Sequence, residues 1–126
     1  RQFEETHSME NVIYNELKAR GFAVDVGVVD SIEAKNGRKT HVVREIDFVI
    51  NAETTGERYY IQSALTTEEP EKMEQEIRPF LKLCNDFTKR IVISKTEMKP
   101  WTDKYGIVHI GVYDFLLGNC DEIIKP

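Results

Sequence analysis

The first part of the chain has the hydrophobic spacing of an amphipathic helix. Apolar side chains recur there at intervals of three and four residues, at Met9, Val12, Ile13 and Leu17. Thr6 or Ser8 is predicted to cap this helix, and Gly21 is predicted to end it. Glu16 falls within the apolar arc, so we expect it to pair with a basic or hydroxyl side chain.

After Phe22 the apolar positions recur at every second residue, which predicts a strand that directly follows the helix. Its apolar positions lie on one face: Phe22, Val24, Val26 and Val28. Residues 33–40 are polar and contain Asn36-Gly37, which is a strong signal for a two-residue hairpin turn. The next strand should therefore return antiparallel to the first.

The hairpin signal leads to two further strands. An alternating pattern predicts the second strand over residues 41–51, and a turn at residues 54–56 leads into a third strand over 58–65. Because short connections join all three strands, they are expected to form an antiparallel meander.

A second helix is predicted after the meander, with Thr66 or Thr67 as its cap and an acidic first turn. Its apolar stripe consists of Met73, Ile77, Phe80, Leu81 and Cys84. Pro79 lies inside the stripe and should kink the helix or remove a hydrogen bond. The helix is expected to end near Asn85.

The last third of the chain predicts two more strands and one helical turn. Residues 91–93 form a short apolar run, as expected of a buried strand that pairs in parallel after a crossover helix. Trp101 follows in a loop, either as a lid over the core or as an exposed contact residue. A last strand is predicted over 107–112 and a helical turn over 113–117, closed by Gly118.

The composition indicates one globular domain spanning residues 1–126. Hydrophobic residues make up 40% of the chain and charged residues 31%, which is not the composition of a disordered protein. No apolar run approaches the roughly 20 residues that span a bilayer, so we expect a cytoplasmic protein without a membrane partner. The net charge of −5 argues against a nucleic-acid module acting alone, unless a local basic face outweighs it.

The cysteines and histidines show no metal-ligand spacing. Cys84 and Cys120 lie far apart, and we expect both to be reduced and structural. His7, His41 and His109 are likewise expected to have structural roles.

Three polar residues are candidates for chemistry: Glu10 on the first helix, Asp47 on the second strand and Gln62 on the third. Side-chain alternation is expected to place four residues of the second strand on one face: Val43, Glu45, Asp47 and Val49. Pairing of the second and third strands would then bring Gln62 close to Asp47. The alternative is that Glu10 is an acid near a helix N-terminus and that Glu45 and Asp47 are solvated strand residues.

Several short segments share their order and spacing with one family: Glu10-Asn11 through Gly21, Glu45–Val49, Tyr60–Gln62, Phe80–Lys82, Arg90–Ser94 and Asp114–Leu117. They resemble the C-terminal domain of unknown function of prokaryotic AAA-type ATPases, which is similar in fold to PD-(D/E)xK nucleases. The resemblance implies a restriction-endonuclease-like α/β fold, in which a central mixed sheet is built in the order helix, three strands, helix, strand, strand. It also implies that the chain is the C-terminal fragment of a larger ATPase. The other domains of that ATPase would be its partners.

The resemblance assigns four positions of a nuclease site. Glu10 matches the helix glutamate, Asp47 the first metal ligand, Gln62 the second acid and Ala64 the lysine that activates water. The family's chemistry uses Mg²⁺ or Mn²⁺ held by carboxylate oxygens, and a neutral amide is a weaker ligand. Alanine cannot stabilise charge, and losing such a group costs about 10² to 10³ in rate. A lysine displaced to another element, such as Lys82, would restore the role.

Three functions follow from these assignments. The first is a non-catalytic accessory or recognition domain, a pseudo-nuclease with no cofactor, whose partner is protein or DNA. The second is a divalent-metal-dependent DNA nuclease in which Asp47 and Gln62 hold Mg²⁺ or Mn²⁺ beside Glu10. The third is a structural or oligomerisation domain. The chain contains no GxxxxGK[ST] phosphate loop, so the ATPase motor would lie in another part of the parent protein.

Overall fold

A computed structural model describes residues 2–53, 55–65, 77–78 and 88–125 of the chain. The elements are α1 (Gln2–Ala19), β1 (Val24–Lys35), β2 (Arg38–Asn51), β3 (Arg58–Ala64), β4 (Thr88–Ser94), β5 (Trp101–Thr102), β6 (Val108–Gly111) and α2 (Val112–Leu116). The six strands form one mixed sheet in the order β1-β2-β3-β4-β6-β5. The protein is therefore of the mixed α/β class, as predicted.

The start of α1 differs from its prediction. The helix already begins at Gln2, so Thr6 and Ser8 lie inside it and neither is its cap. Val12 is 43% exposed, because the sheet covers a narrower arc of the helix than the pattern indicated. The side chains that do pack on the sheet lie one helical turn apart: Met9, Ile13 and Leu17.

Helix α1 ends just before Gly21, as predicted. Gly21 has a φ of 92°, a left-handed conformation that glycine adopts without strain. Its N–H donates to the Lys18 carbonyl at 3.0 Å, and the Phe22 N–H donates to the Leu17 carbonyl at 3.1 Å. This is a Schellman motif, in which Phe22 and Leu17 also join the same core cluster.

The β1–β2 hairpin turns at Asn36-Gly37 as predicted, but its strands are much longer. Asn36 and Gly37 have φ values of 52° and 76°, as the favoured two-residue hairpin turn requires. The ladder closes at once with Lys35 opposite Arg38, so the polar residues 33–40 are mostly strand and not loop. They escaped prediction because a ribbon that is solvated on both faces needs no apolar alternation.

Strand β3 pairs only with the base of this hairpin, since the β2–β3 ladder runs from Phe48 to Asn51 on β2. The rest of the hairpin projects as a two-stranded ribbon. Val26 and Val28 are exposed there, whereas Phe22, which was predicted to share their face, is buried.

A β-bulge interrupts the hairpin near its base. Asp25 pairs with Val49 but Gly27 pairs with Ile46, so β2 holds one more residue than β1 over this interval. As a result Ile46 and Val49 pack in one core cluster, while Phe48 packs in the other. The predicted alternation of Asp47 with Val49 on one face is therefore wrong, because the bulge shifts the pleat between them.

The sheet is covered on both faces. The larger cluster lies under α1 and α2 and includes Ile13, Leu17, Phe48, Ile61, Ile93, Ile110 and Phe115. The smaller cluster lies on the opposite face and consists of Val29, Ile46, Val49, Ala64, Ile77, Val92 and Ile107.

The meander and the parallel strand are confirmed. β1, β2 and β3 pair antiparallel in sequence order, and β3 pairs in parallel with β4. The second predicted helix lies outside the described residues, apart from Ile77 and Arg78, which are helical. The assignments to Thr66, Thr67, Met73, Pro79, Phe80, Leu81, Lys82, Cys84 and Asn85 therefore also lie outside them.

The C-terminal elements match the prediction with two changes. Val112 starts α2 instead of ending a strand, and Gly118, at a φ of 83°, follows that helix. Trp101 is not in a loop but in β5, a two-residue edge strand too short for periodicity to reveal. Cys120 is buried and unpaired, as expected of a structural cysteine. Among the residues described, no helix has both the length and the apolar character to cross a bilayer.

Candidate functional site

Glu10 lies in the middle of α1, one residue past Met9 of the buried arc, and its side chain is partly buried. Burial raises the pKa of its carboxyl, the negative charge of Asp47 raises it further, and His7 partly opposes both. Glu10 and Asp47 are thus electrostatic neighbours. The alternative of an acid near the helix N-terminus is wrong, because α1 begins eight residues earlier, at Gln2.

Asp47 sits at the bulge of β2, where it joins strand β2 to strand β3. Its Oδ2 atom accepts hydrogen bonds from both the backbone N–H and the hydroxyl of Ser63, each at 2.9 Å. Burial raises the pKa of the Asp47 carboxyl, the Ser63 hydrogen bonds lower it and the nearby Glu45 raises it. Asp47 is therefore not a solvated strand residue, whereas Glu45 is exposed as expected.

Gln62 is close to Asp47, as predicted, and it contacts the backbone of Asp47. The Asp47 N–H donates to the Gln62 Oε1 atom at 2.7 Å. The regular β2–β3 ladder ends one residue earlier, where Phe48 pairs with Ile61. The side chains of Asp47 and Gln62 thus provide hydrogen bonds where the two strands separate. Gln62 is only 4% exposed, so its amide lies inside the sheet.

Ala64 is buried at 5% exposure in the smaller core cluster, next to Ile77 and Val92. Lys95, which directly follows β4, contacts this position through its backbone. The Lys95 N–H donates to the Ala64 carbonyl at 3.1 Å, but the exposed Lys95 side chain lines a cavity of about 560 Å³ between α1 and α2, on the face of the sheet opposite to the smaller core cluster that holds Ala64. The lysine suggested by sequence, Lys82, lies outside the described residues.

Ser63 is the member of this site that sequence reasoning missed. It is 4% exposed and contributes both hydrogen bonds to the Asp47 carboxylate. The signal was the pair of adjacent polar residues, Gln62 and Ser63, within an otherwise apolar strand, because buried polar groups need partners. Within the described part of the chain, no group of three or more histidine, cysteine and acidic side chains is arranged to hold a metal ion.

A second polar cluster lies at the far edge of the sheet. His109 is 1% exposed, and its Nε2 atom lies 2.8 Å from the Asp103 Oδ2 atom. Trp101, which is 48% exposed, stacks on the imidazole with 4.4 Å between ring centroids. Asp103 also accepts the N–H groups of Tyr105 and Ile107, so it organises the loop between β5 and β6. Trp101 is thus both the cover of a buried side chain and an exposed residue.

Neither a scan of protein-family models nor a search of the curated proteins finds a match to this chain. The resemblance to the ATPase-associated domain remains a prediction from sequence.

Replacing Glu10 with glutamine is expected to stabilise the protein at neutral pH. The pKa of Glu10 in the folded protein is raised above its ordinary value of 4.5, so folding favours the protonated carboxyl. The free energy of unfolding is therefore not reduced by Glu10 at low pH, and it falls as the pH rises through the pKa of the folded protein. Discounted for solvent screening, Glu10→Gln should gain about 0.5 kcal/mol at pH 7 and almost nothing near pH 4. Denaturant unfolding at both pH values measures this.

Glu5→Gln, on the exposed side of the same helix, is the matched control and should change little at either pH. A Glu10→Gln variant that is less stable than the wild type at pH 7 would show that the carboxylate has a stabilising partner.

Proposed function

We propose that this chain is a non-catalytic accessory domain that recognises a partner and that it uses a degenerate nuclease-like scaffold within a larger AAA-type ATPase. The observation that carries the proposal is the hydrogen bonding of the two predicted metal ligands, Asp47 and Gln62. Both use an oxygen atom to hold β2 and β3 together: Asp47 accepts from Ser63, and Gln62 accepts from the Asp47 N–H.

The restriction-endonuclease-like fold is part of this proposal. Support comes from α1 packed on a mixed sheet, an antiparallel meander, and a parallel strand next to β3. Further support comes from the bulge at Asp47, which turns this carboxylate toward the helix that bears Glu10.

The absence of catalysis is inferred from charge. A hard divalent cation needs several oxygen ligands with negative charge, and phosphodiester attack needs a cation near the forming charge. Burial raises the pKa values of both carboxyls, the charge of Asp47 raises that of Glu10 further, and the charge of Glu45 raises that of Asp47. Ala64 offers no cation at the lysine position. We infer that the scaffold is retained for binding to protein or DNA, or to other domains of the ATPase.

A nuclease assay with a metal titration tests the proposal. The purified chain is incubated with plasmid DNA and Mg²⁺ or Mn²⁺, and metal binding is followed by calorimetry. We expect neither cleavage nor saturable binding. The informative variant is Asp47→Asn, which keeps an oxygen acceptor for Ser63 while it removes the charge. Cleavage by the wild type that Asp47→Asn abolishes would refute the non-catalytic assignment.

The second candidate is a divalent-metal-dependent DNA nuclease with a displaced lysine, and Lys95 is the observation that favours it. The Lys95 side chain lines the cavity on the face of the sheet that α1 covers, and α1 is the helix that bears Glu10. This alternative expects Mn²⁺-dependent cleavage that is lost in Lys95→Ala. Lys89→Ala, at the other end of β4, is the control and should retain activity.

A further inference from the structure

The outer edge of β1 is open. β1 is the terminal strand of the sheet and is 12 residues long, and in the part of the chain that the structure describes no strand pairs with its outer side. Lys35 and Arg38 close a two-residue hairpin turn, and such a closing pair exchanges its hydrogen bonds across the hairpin. Every second residue of β1 therefore directs its N–H and C=O groups away from β2, where they are a template for one more strand. These residues are Val28, Asp30, Ile32 and Ala34.

Asp30 lies among exposed apolar side chains on one face of the hairpin. Val28 and Ile32, two residues to either side of it on β1, are 63% and 69% exposed. Val43, its partner on β2, is 56% exposed and shares the face. Contiguous exposed apolar side chains mark an interaction surface more often than a solvated one. The acid at the centre of this patch decides which partner can cover it.

The charges of the edge strand favour a cationic partner. β1 contains three acids and one base: Asp25, Asp30, Glu33 and Lys35. Glu33 is already neutralised, because the Arg44 guanidinium donates two hydrogen bonds to its carboxylate, both at 3.0 Å. Asp30 pairs with His41, which is charged only when protonated, and both side chains are more than half exposed. A lysine or arginine opposite Asp30 on an added strand would give this carboxylate a permanent cation.

The same acid disfavours a second copy of this chain at the edge. The antiparallel register that places Val28 of one copy opposite Ile32 of the other also places Asp30 opposite Asp30. Like charges that lie directly opposite each other destabilise a ladder. The partner strand therefore needs a cation where this chain has an acid.

We propose that β1 binds an extended segment of a partner protein as an additional antiparallel strand, with the pattern apolar-x-basic-x-apolar opposite Ile32, Asp30 and Val28. Main-chain hydrogen bonds to the outward groups of β1 provide affinity, and the apolar and basic side chains provide specificity. The pattern ends at Ile32, short of the basic residues of the hairpin tip, Arg38 and Lys39. This inference rests on the proposed recognition role and names its partner as a protein segment.

Fluorescence anisotropy with two labelled peptides tests the charge requirement. In the first peptide threonines alternate with valine, lysine and valine, and in the second glutamate replaces the lysine. The wild type should bind the lysine peptide at least about tenfold more tightly, and Asp30→Lys should reverse this preference. Glu53→Lys makes the same change of charge in the exposed turn after β2 and should retain the preference. Circular dichroism checks that each variant is folded.

N-methylation of the lysine peptide separates strand addition from simple charge attraction. Methyl groups on the valine and lysine nitrogens remove the N–H groups that face β1 in an antiparallel pair and should abolish binding, whereas methyl groups on the threonine nitrogens should not. No binding of either peptide, equal affinity for both, equal effects of the two methylation patterns, or a wild-type dimer that Ile32→Lys dissociates would each overturn the proposal. DNA cleavage by the wild type would instead contradict the recognition role itself, so the two failures are distinguishable.

Discussion

Phe115→Ala is expected to lower the free energy of unfolding by about 3–5 kcal/mol, the usual effect of removing a fully buried aromatic side chain. Phe115 is 0% exposed and belongs to the larger core cluster. It also anchors α2, a five-residue helix too short to be stable by itself. The Arg20 guanidinium lies 4.7 Å from the centre of its ring, and Arg20 Nη2 donates to the Phe115 carbonyl at 2.6 Å.

Leu117→Ala is the matched control for this prediction. Leu117 lies two residues away at the end of the same helix, but it is 76% exposed, so its truncation should change stability by less than about 0.5 kcal/mol. Denaturant unfolding gives both values. If both substitutions had equal effects, α2 would not pack on the sheet through Phe115.

Asp47→Ala is expected to lower the free energy of unfolding by about 2 kcal/mol. Without the carboxylate, the N–H and hydroxyl of buried Ser63 lose their acceptor, and each unsatisfied buried group costs about 1–3 kcal/mol. Part of this loss is offset, because the substitution also removes a half-buried charge whose pKa is raised by burial and by Glu45.

Two further variants separate the hydrogen bonds of Asp47 from its charge. Asp47→Asn keeps an oxygen acceptor and removes the charge, so its stability at pH 7 should equal or exceed that of the wild type. Glu45→Ala removes an exposed carboxylate and should change stability by less than about 0.5 kcal/mol. If Asp47→Ala were as stable as the wild type, the link between β2 and β3 would carry no net stability, and Asp47 would require another explanation.

Local chemistry made several elements predictable. The end of α1 followed from Gly21, since few residues other than glycine adopt a φ of 92° without strain. The hairpin turn followed from Asn36-Gly37 for the same reason, and the expected partner of Glu16 is Arg20, one helical turn away at 3.6 Å. These predictions needed only residues close together in sequence.

The candidate site was only partly predictable. The proximity of Glu10 and Asp47 was implied by the resemblance to nuclease-like domains, and it agrees with the effect of Asp47 on the pKa of Glu10. The role of Ser63 did not follow, because the bulge that aims Asp47 arises from the pairing of two strands and has no local signature. The proximity of Gln62 and Asp47 followed from strand pairing, but the hydrogen bond from the Asp47 N–H to Gln62 did not.

The sequence by itself determined the end of α1, the Asn36-Gly37 turn and the antiparallel order of the first three strands, because these depend on residues close together in the chain. Only the tertiary structure decided which side chains meet. The bulge placed Asp47 against Ser63, the limited β2–β3 ladder left Val28 and Val43 exposed, and the parallel β3–β4 pairing brought the Lys95 N–H to the Ala64 carbonyl. The Asp47–Ser63 and Lys95–Ala64 contacts join residues that are distant in sequence, and the strand register decides which of these residues come together.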